Sequence, residues 1–112
     1  MKTPVIFVGH GSPMNILENN KWTKKWRELG NILKDVNGIV MISAHWYTRG
    51  SLITKEEYPK TIHDMYGFPE ELYKIQYPAQ NNQDFRNTVF NLVSNLTELN
   101  DGWGYDHGNY SV

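Results

Sequence analysis

Four histidines occur in this chain of 112 residues, and three of them sit among small or turn-forming neighbours. These are Gly9-His10-Gly11-Ser12-Pro13, Ser43-Ala44-His45-Trp46 and Asp106-His107-Gly108; the fourth lies in Thr61-Ile62-His63-Asp64. Neutral imidazole is a common ligand for zinc and non-haem iron, and its pKa of about 6.5 suits proton transfer at neutral pH. Glycine on both sides of His10 lets the backbone turn sharply and leaves room for an ion or a substrate to approach. There is no cysteine, so disulfides, iron–sulfur clusters and thiolate-rich zinc sites are excluded. Any metal must be held by His, Asp, Glu, backbone oxygen or water.

The same residues suggest two other chemistries. Gly9-His10-Gly11-Ser12 follows an apolar run, as a phosphate-binding loop would, but it lacks both glycine-rich spacings that cradle phosphates. Ser12 or Ser43 beside a histidine suggests a serine nucleophile, yet neither lies in Gly-x-Ser-x-Gly. Pro13 also removes a backbone N–H that an oxyanion hole after Ser12 would use.

The elements around these residues read as α/β. Pro4-Val5-Ile6-Phe7-Val8 and Ile39-Val40-Met41-Ile42 are continuous apolar runs that predict buried parallel strands. Between them, Asn19 or Asn20 can cap a helix with Trp22, Trp26, Leu29 and Leu33 on one stripe. Strand, helix, strand is the β-α-β unit of a mostly parallel sheet flanked by helices. In that arrangement both strands end on the same sheet edge, where α/β proteins bind ligands, and His10 and His45 end them. A single histidine at a strand end is more often hydrogen-bonded than a ligand; two on one edge bring the readings level. Further along, Ser51–Thr54 suggests a short strand and Pro69–Leu72 a helical turn. Phe85, Val89, Leu92, Val93 and Leu96 suggest a second amphipathic helix capped by Asn81 or Asn82. The stretch 58–80 reads as a functional loop. The Gly-rich aromatic stretch Asp101–Val112 reads as a loop cut short.

Composition narrows the partners. The formal net charge is −1, which excludes nucleic-acid binding by bulk basicity. The charge is uneven: residues 1–56 carry eight Lys or Arg against four acids, residues 57–112 three against eight, which reads as a solvated surface. No apolar run approaches the roughly 20 residues of a membrane span, and no leader pattern opens the chain, so the expected compartment is the cytoplasm. Four Trp, seven Tyr and four Phe offer stackable surface for a core or for a planar ligand.

Five motifs then occur in order. They are Gly9–Asn15, Ile42–Gly50, Thr61–Pro69, Gln76–Ala79 and Trp103–Gly108, which together span nearly the whole chain. In these motifs the sequence closely resembles the DOPA 4,5-dioxygenase-like branch of the class III extradiol ring-cleaving dioxygenases. That resemblance implies one mononuclear site holding Fe(II) or Zn(II), with His10 and His45 as two of its ligands. It also implies His107 as the acid–base group and an aromatic diol and O2 as substrates. His63 is implied in the pocket, together with Ser12, Trp46 and Tyr66; Trp46, Tyr47 and Tyr66 could stack on a substrate or serve the core.

Members of this family are more than twice as long and take their remaining ligands from segments beyond the Asp-His-Gly motif. The expectation is therefore a single, incomplete domain over residues 1–112, the N-terminal part of the fold. It would be weak or silent alone, or completed by a second copy or a C-terminal fragment. A non-enzymatic metal-binding or interaction domain is the alternative.

Overall fold

The computed structural model describes residues 2–93, 95–99 and 102–112. Asn20 starts the first helix, α1 (Lys21–Ile32), because its side chain replaces the helical partners that the first amides lack. Its Oδ1 accepts the N–H groups of Trp22 and Thr23 at 2.9 and 3.1 Å, while the Thr23 hydroxyl accepts the Asn20 N–H at 3.0 Å. Trp26, Leu29 and Leu33 of the expected stripe are half-buried, but Trp22 is 58% exposed under the Lys21 ammonium.

β1 (Ser51–Thr54) pairs in parallel with β2 (Leu96–Leu99), Ser51 opposite Leu96 and Thr54 opposite Leu99. Parallel neighbours require a crossover, and this one holds the short helix α2 (Glu70–Tyr73) and then α3 (Gln83–Leu92). Carbonyls at the end of β1 are met by side chains from the crossover. Arg86 Nε and Asn81 Nδ2 donate to Thr54 O at 2.9 and 3.1 Å, and Asn81 Nδ2 also reaches Glu56 O at 2.9 Å. A second parallel contact joins the chain at Thr61 and Tyr105, through Ile62 N–H to Tyr105 O at 2.7 Å and Tyr105 N–H to Lys60 O at 2.8 Å. The chain then closes on α4 (His107–Tyr110).

The architecture is α/β with a parallel pair, as expected, and β1, the caps Asn20 and Asn82, and the turn at α2 lie where the sequence puts them. Three expectations need correction. The runs 4–8 and 39–42 are not strands: neither is paired in a ladder, and Val5 and Phe7 have fully exposed side chains. Apolar β-branched composition favours buried, extended backbone, but only a neighbour within hydrogen-bonding distance makes a strand, and composition does not supply one. The second helix ends at Leu92 instead of running to Leu96, because Leu96 pairs with Ser51. The expected terminal loop contains α4; its first residue, Asp101, lies outside the described residues.

Burial is concentrated where the end of the chain meets its middle. Met65, Tyr110, Asp106, His107 and Ser111 are buried together with Leu72, which has no exposed surface. No helix among the described residues is long and apolar enough to cross a membrane. Gly104 marks the tightest backbone approach of this region, since a Cβ there would lie 2.0 Å from the Lys60 carbonyl oxygen. Replacing it by alanine must open the Thr61–Tyr105 contact. Gly104→Ala is therefore expected to cost about 1–3 kcal/mol of stability by overpacking, read as a lowered urea midpoint; an unchanged midpoint would place the strand contact elsewhere.

Candidate metal centre

His10 and His45 come from two loops and His107 from the first turn of α4, yet each presents a ring nitrogen within 4.8 Å of those of the others. His10 Nε2 and His45 Nε2 are 2.8 Å apart, the distance of a hydrogen bond in which one ring donates and the other accepts. The ring centroids of His45 and His107 lie 3.9 Å apart, and His10 is 5.0 and 5.1 Å from those two. His10 and His45 were expected to meet as the ends of adjacent strands. They meet instead as loop residues.

Each histidine is held by local chemistry. The His10 loop reverses at Gly11, whose φ of +67° is strained for any residue with a Cβ. Asn15 Nδ2 donates to the His10 carbonyl at 2.9 Å, and Asn15 Oδ1 accepts from Asn20 Nδ2 at 2.8 Å, so the loop hangs from the cap of α1. His45 follows a tight turn in which Ser43 Oγ accepts the His45 N–H at 3.2 Å. His107 opens α4, where Asp106 is the cap and accepts the Gly108 N–H at 2.9 Å. His107 Nδ1 stands 2.9 Å from Asp64 Oδ1, close but not aligned as a hydrogen bond, and the His107 N–H donates to the same oxygen at 2.8 Å. That leaves His107 Nε2 for the cluster.

Electrostatics favour the neutral imidazole of His10. Burial, then the neighbouring His107 and His45, hold the His10 pKa below its ordinary value, against the smaller opposing effects of the Gly11 backbone and Asp106. For Asp64, burial works against the charge, but the His107 backbone N–H and ring outweigh it and depress the carboxyl pKa. Tyr110, whose hydroxyl donates to the Ile62 carbonyl at 2.7 Å, is pushed up to about 12 by burial and by the carboxylates of Asp64 and Asp106.

The trio fits a divalent ion of the N-preferring kind. Nitrogens sharing a tetrahedral ion at about 2.0–2.1 Å stand roughly 3.3 Å from one another, a spacing bracketed by the 2.8 Å contact and the 4.8 Å span. Two or three protein nitrogens with further positions open is the donor set of a catalytic site rather than a closed structural one, and a third imidazole that does not ligate is then placed for proton transfer. An imidazole backed by a carboxylate, as His107 is by Asp64, is also the usual support of a metal-binding or proton-transferring histidine.

The other candidate residues are placed elsewhere. His63 Nε2 donates to the Ile75 carbonyl at 2.8 Å, and its ring packs between Tyr73 and Tyr110, outside the trio. Tyr66 and Tyr47 project outward, Tyr66 with 92% of its side chain exposed. Ser12 caps a 3-10 turn, Pro13–Ile16, by accepting the Met14 N–H at 3.2 Å. Trp46 lines a separate cavity of about 270 Å3 with Phe85, Trp103 and Asp106, and none of the four histidines borders it. Sequence reading passed over Asp64 and Asp106. An Asp just before a short helical segment is a cap signal that could have found Asp106.

No family profile matches this chain. Curated relatives do. The chain is 43% identical to 4,5-DOPA dioxygenase extradiol of Escherichia coli (strain K12), over 99% of its own length and 42% of that protein. It is 34% identical to 4,5-DOPA dioxygenase extradiol of Beta vulgaris over 91% of its length and 41% of that protein, and 29% identical to the Mirabilis jalapa protein of the same name over 90% and 40%. The chain thus spans about two-fifths of the length of these relatives.

The Asp64 contact carries a pH signature. Its folded pKa is depressed, so its stabilisation is fully present above the unfolded value of about 3.9 and is lost as pH falls through the folded one. Asp64→Asn is expected to cost about 2 kcal/mol at pH 7, in the range of hydrogen bonds to charged groups, and much less near pH 3. Urea unfolding at both pH values checks this, and an equal cost at both would refute the charged contact.

By sequence, then, the chain is similar to proteins named 4,5-DOPA dioxygenase extradiol, over nearly all of its own length and an N-terminal portion of theirs.

Proposed function

We propose that this chain carries the metal site of an extradiol ring-cleaving dioxygenase that acts on a catechol-type diol with O2. In this reading His10 and His45 are ligands and His107 is the acid–base group. The observation that carries it is the convergence of three ring nitrogens within 4.8 Å. The relatives are named for DOPA and for extradiol dioxygenation, which puts an aromatic diol first among substrates. Fe(II) is the metal of this reaction, and Zn(II) suits the same nitrogen set.

When bound, the ion supplies Lewis acidity and open positions for diol and O2. The chain supplies the rest. His10, with its pKa held down, stays neutral and available as a nitrogen donor. His107 Nε2 takes a proton from a diol hydroxyl and later returns it, and Asp64 beside Nδ1 stabilises the imidazolium that forms in between. Ser12, Trp46, His63 and Tyr66, expected around the bound ring, stand apart from the trio in this fold, so the reading assigns them no contact with it. The cytoplasm is the proposed compartment.

A specific observation favours completion of this site by further polypeptide, in the same or another molecule. A folded monomer of 13.1 kDa exposes about 6,400 Å2, whereas this chain exposes 8483 Å2. Its radius of gyration is 14.7 Å against about 13 Å for a domain of this length. The surplus is on the order of the surface a stable protein interface buries, and the runs 4–8 and 39–42 contribute apolar area to it. The occupant we infer is a polypeptide equivalent to the part of the relatives that this chain does not span. Without it, the chain is expected to bind the metal weakly and to cleave the ring slowly.

Metal analysis after Fe(II) or Zn(II) loading tests the ligand assignment. His10→Ala and His45→Ala are each expected to lose most of the bound metal. His107→Ala is expected to keep it while ring cleavage, followed as yellow product, falls 10²- to 10⁴-fold, about the contribution of acid–base catalysis. Unchanged stoichiometry in the first two variants would sink the assignment, and metal loss in the third would make His107 a ligand. Light scattering tests the surface. The chain alone is expected to run heavier than 13.1 kDa through its exposed apolar runs, and a Val5→Ser, Phe7→Ser variant closer to monomer. A clean wild-type monomer would count against an association surface there.

A further inference from the structure

We propose that Ser43 and Asp106 form a positioning clamp that sets the spacing of His45 and His107, and that Ser43 is therefore a metal-affinity residue rather than a nucleophile. This rests on the reading of the histidine trio as a metal site.

Asp106 has no exposed surface, and both of its carboxylate oxygens are engaged. Oδ2 accepts from Trp103 Nε1 at 2.9 Å. Oδ1 accepts from Ser43 Oγ at 2.7 Å, from the Gly108 N–H at 2.9 Å and from Asn109 Nδ2 at 3.1 Å. The Ser43 hydroxyl has one proton, which goes to the carboxylate, because a carboxylate without a proton can only accept. Its lone pair is then free to accept the His45 N–H, 3.2 Å away. The polarity runs one way, from the His45 amide through Ser43 to Asp106. The same carboxylate oxygen caps the helix that begins with His107. One atom thus ties two loops 63 residues apart in sequence, each bearing a histidine of the trio.

Gly108 supports the same conclusion independently. A Cβ there would lie 2.6 Å from Ser43 Oγ and 2.9 Å from His45 Cδ2, so the absent side chain is what lets the His45 ring close over α4. His45 and His107 are accordingly the nearest pair of rings, at 3.9 Å. Supporting hydrogen bonds of this kind typically change metal affinity about 10- to 100-fold.

The test titrates Co(II) into the purified chain and reads affinity, the visible absorption bands and the thermal midpoint. Ser43→Ala is expected to bind cobalt at least 10-fold more weakly, with altered bands, at a temperature where wild type and variant are both folded. Thr48→Ala, which removes a hydroxyl that donates to the Gly50 carbonyl at 2.9 Å, is expected to match wild type in affinity and spectrum. A role confined to stability would lower the midpoint of Ser43→Ala and leave the folded protein's affinity and bands alone; that result overturns the clamp. His45→Ala separates the two readings: cobalt lost there but retained at wild-type affinity in Ser43→Ala rejects the clamp alone. A wild-type chain that takes up no cobalt rejects the metal site and the clamp with it.

Discussion

A carboxylate withdrawn from water is tolerated only when donors replace the solvation it has lost. Asp106 meets that condition with four donors, drawn from a serine, a tryptophan, a helix amide and an asparagine. The requirement works in both directions. The donors stabilise the buried oxygen atoms, and the oxygen atoms fix where the donors, and the backbone that bears them, can stand. The turn that holds Ser43 and His45 and the first turn of α4 are held in register by this constraint.

Asp64 works on the same principle from the opposite side. It receives the His107 amide and sits beside the His107 ring, so that histidine is gripped through its backbone and its side chain by one carboxylate. Tyr110, one turn further along α4, anchors to the Ile62 carbonyl, and Ser111 Oγ donates to the His107 carbonyl. A dense polar network therefore surrounds the most buried of the four histidines. His45, held on one side only, remains exposed.

How far the sequence could be read depends on whether the signal is local. Caps are local: Asn20 and Asn82 announce α1 and α3 because the side chain that stops one conformation starts the next within three residues. The histidines were legible as chemistry only in part: two beside small residues brought the ligand reading level with the hydrogen-bonded one, and the resemblance in five motifs carried the rest. Strand pairing is not local. Leu96 reads as the last apolar residue of a helix until Ser51 is known to lie opposite it. The runs 4–8 and 39–42 carry strand composition without a ladder partner. The role of Ser43 was out of reach for the same reason, since its hydroxyl answers to a residue 63 positions away.

Those separations bear on how the molecule comes into being. Residues 45 apart pair in the sheet, and contacts 43, 48 and 63 apart knit the polar network. Loop closure over such spans must precede the reward of the contacts, which places this topology among the slower folders. On a ribosome, the segment 103–111 emerges after every partner it organises. Until it does, His10 and His45 have no third companion, and the apolar stretches beside them are open to chaperones and to premature aggregation.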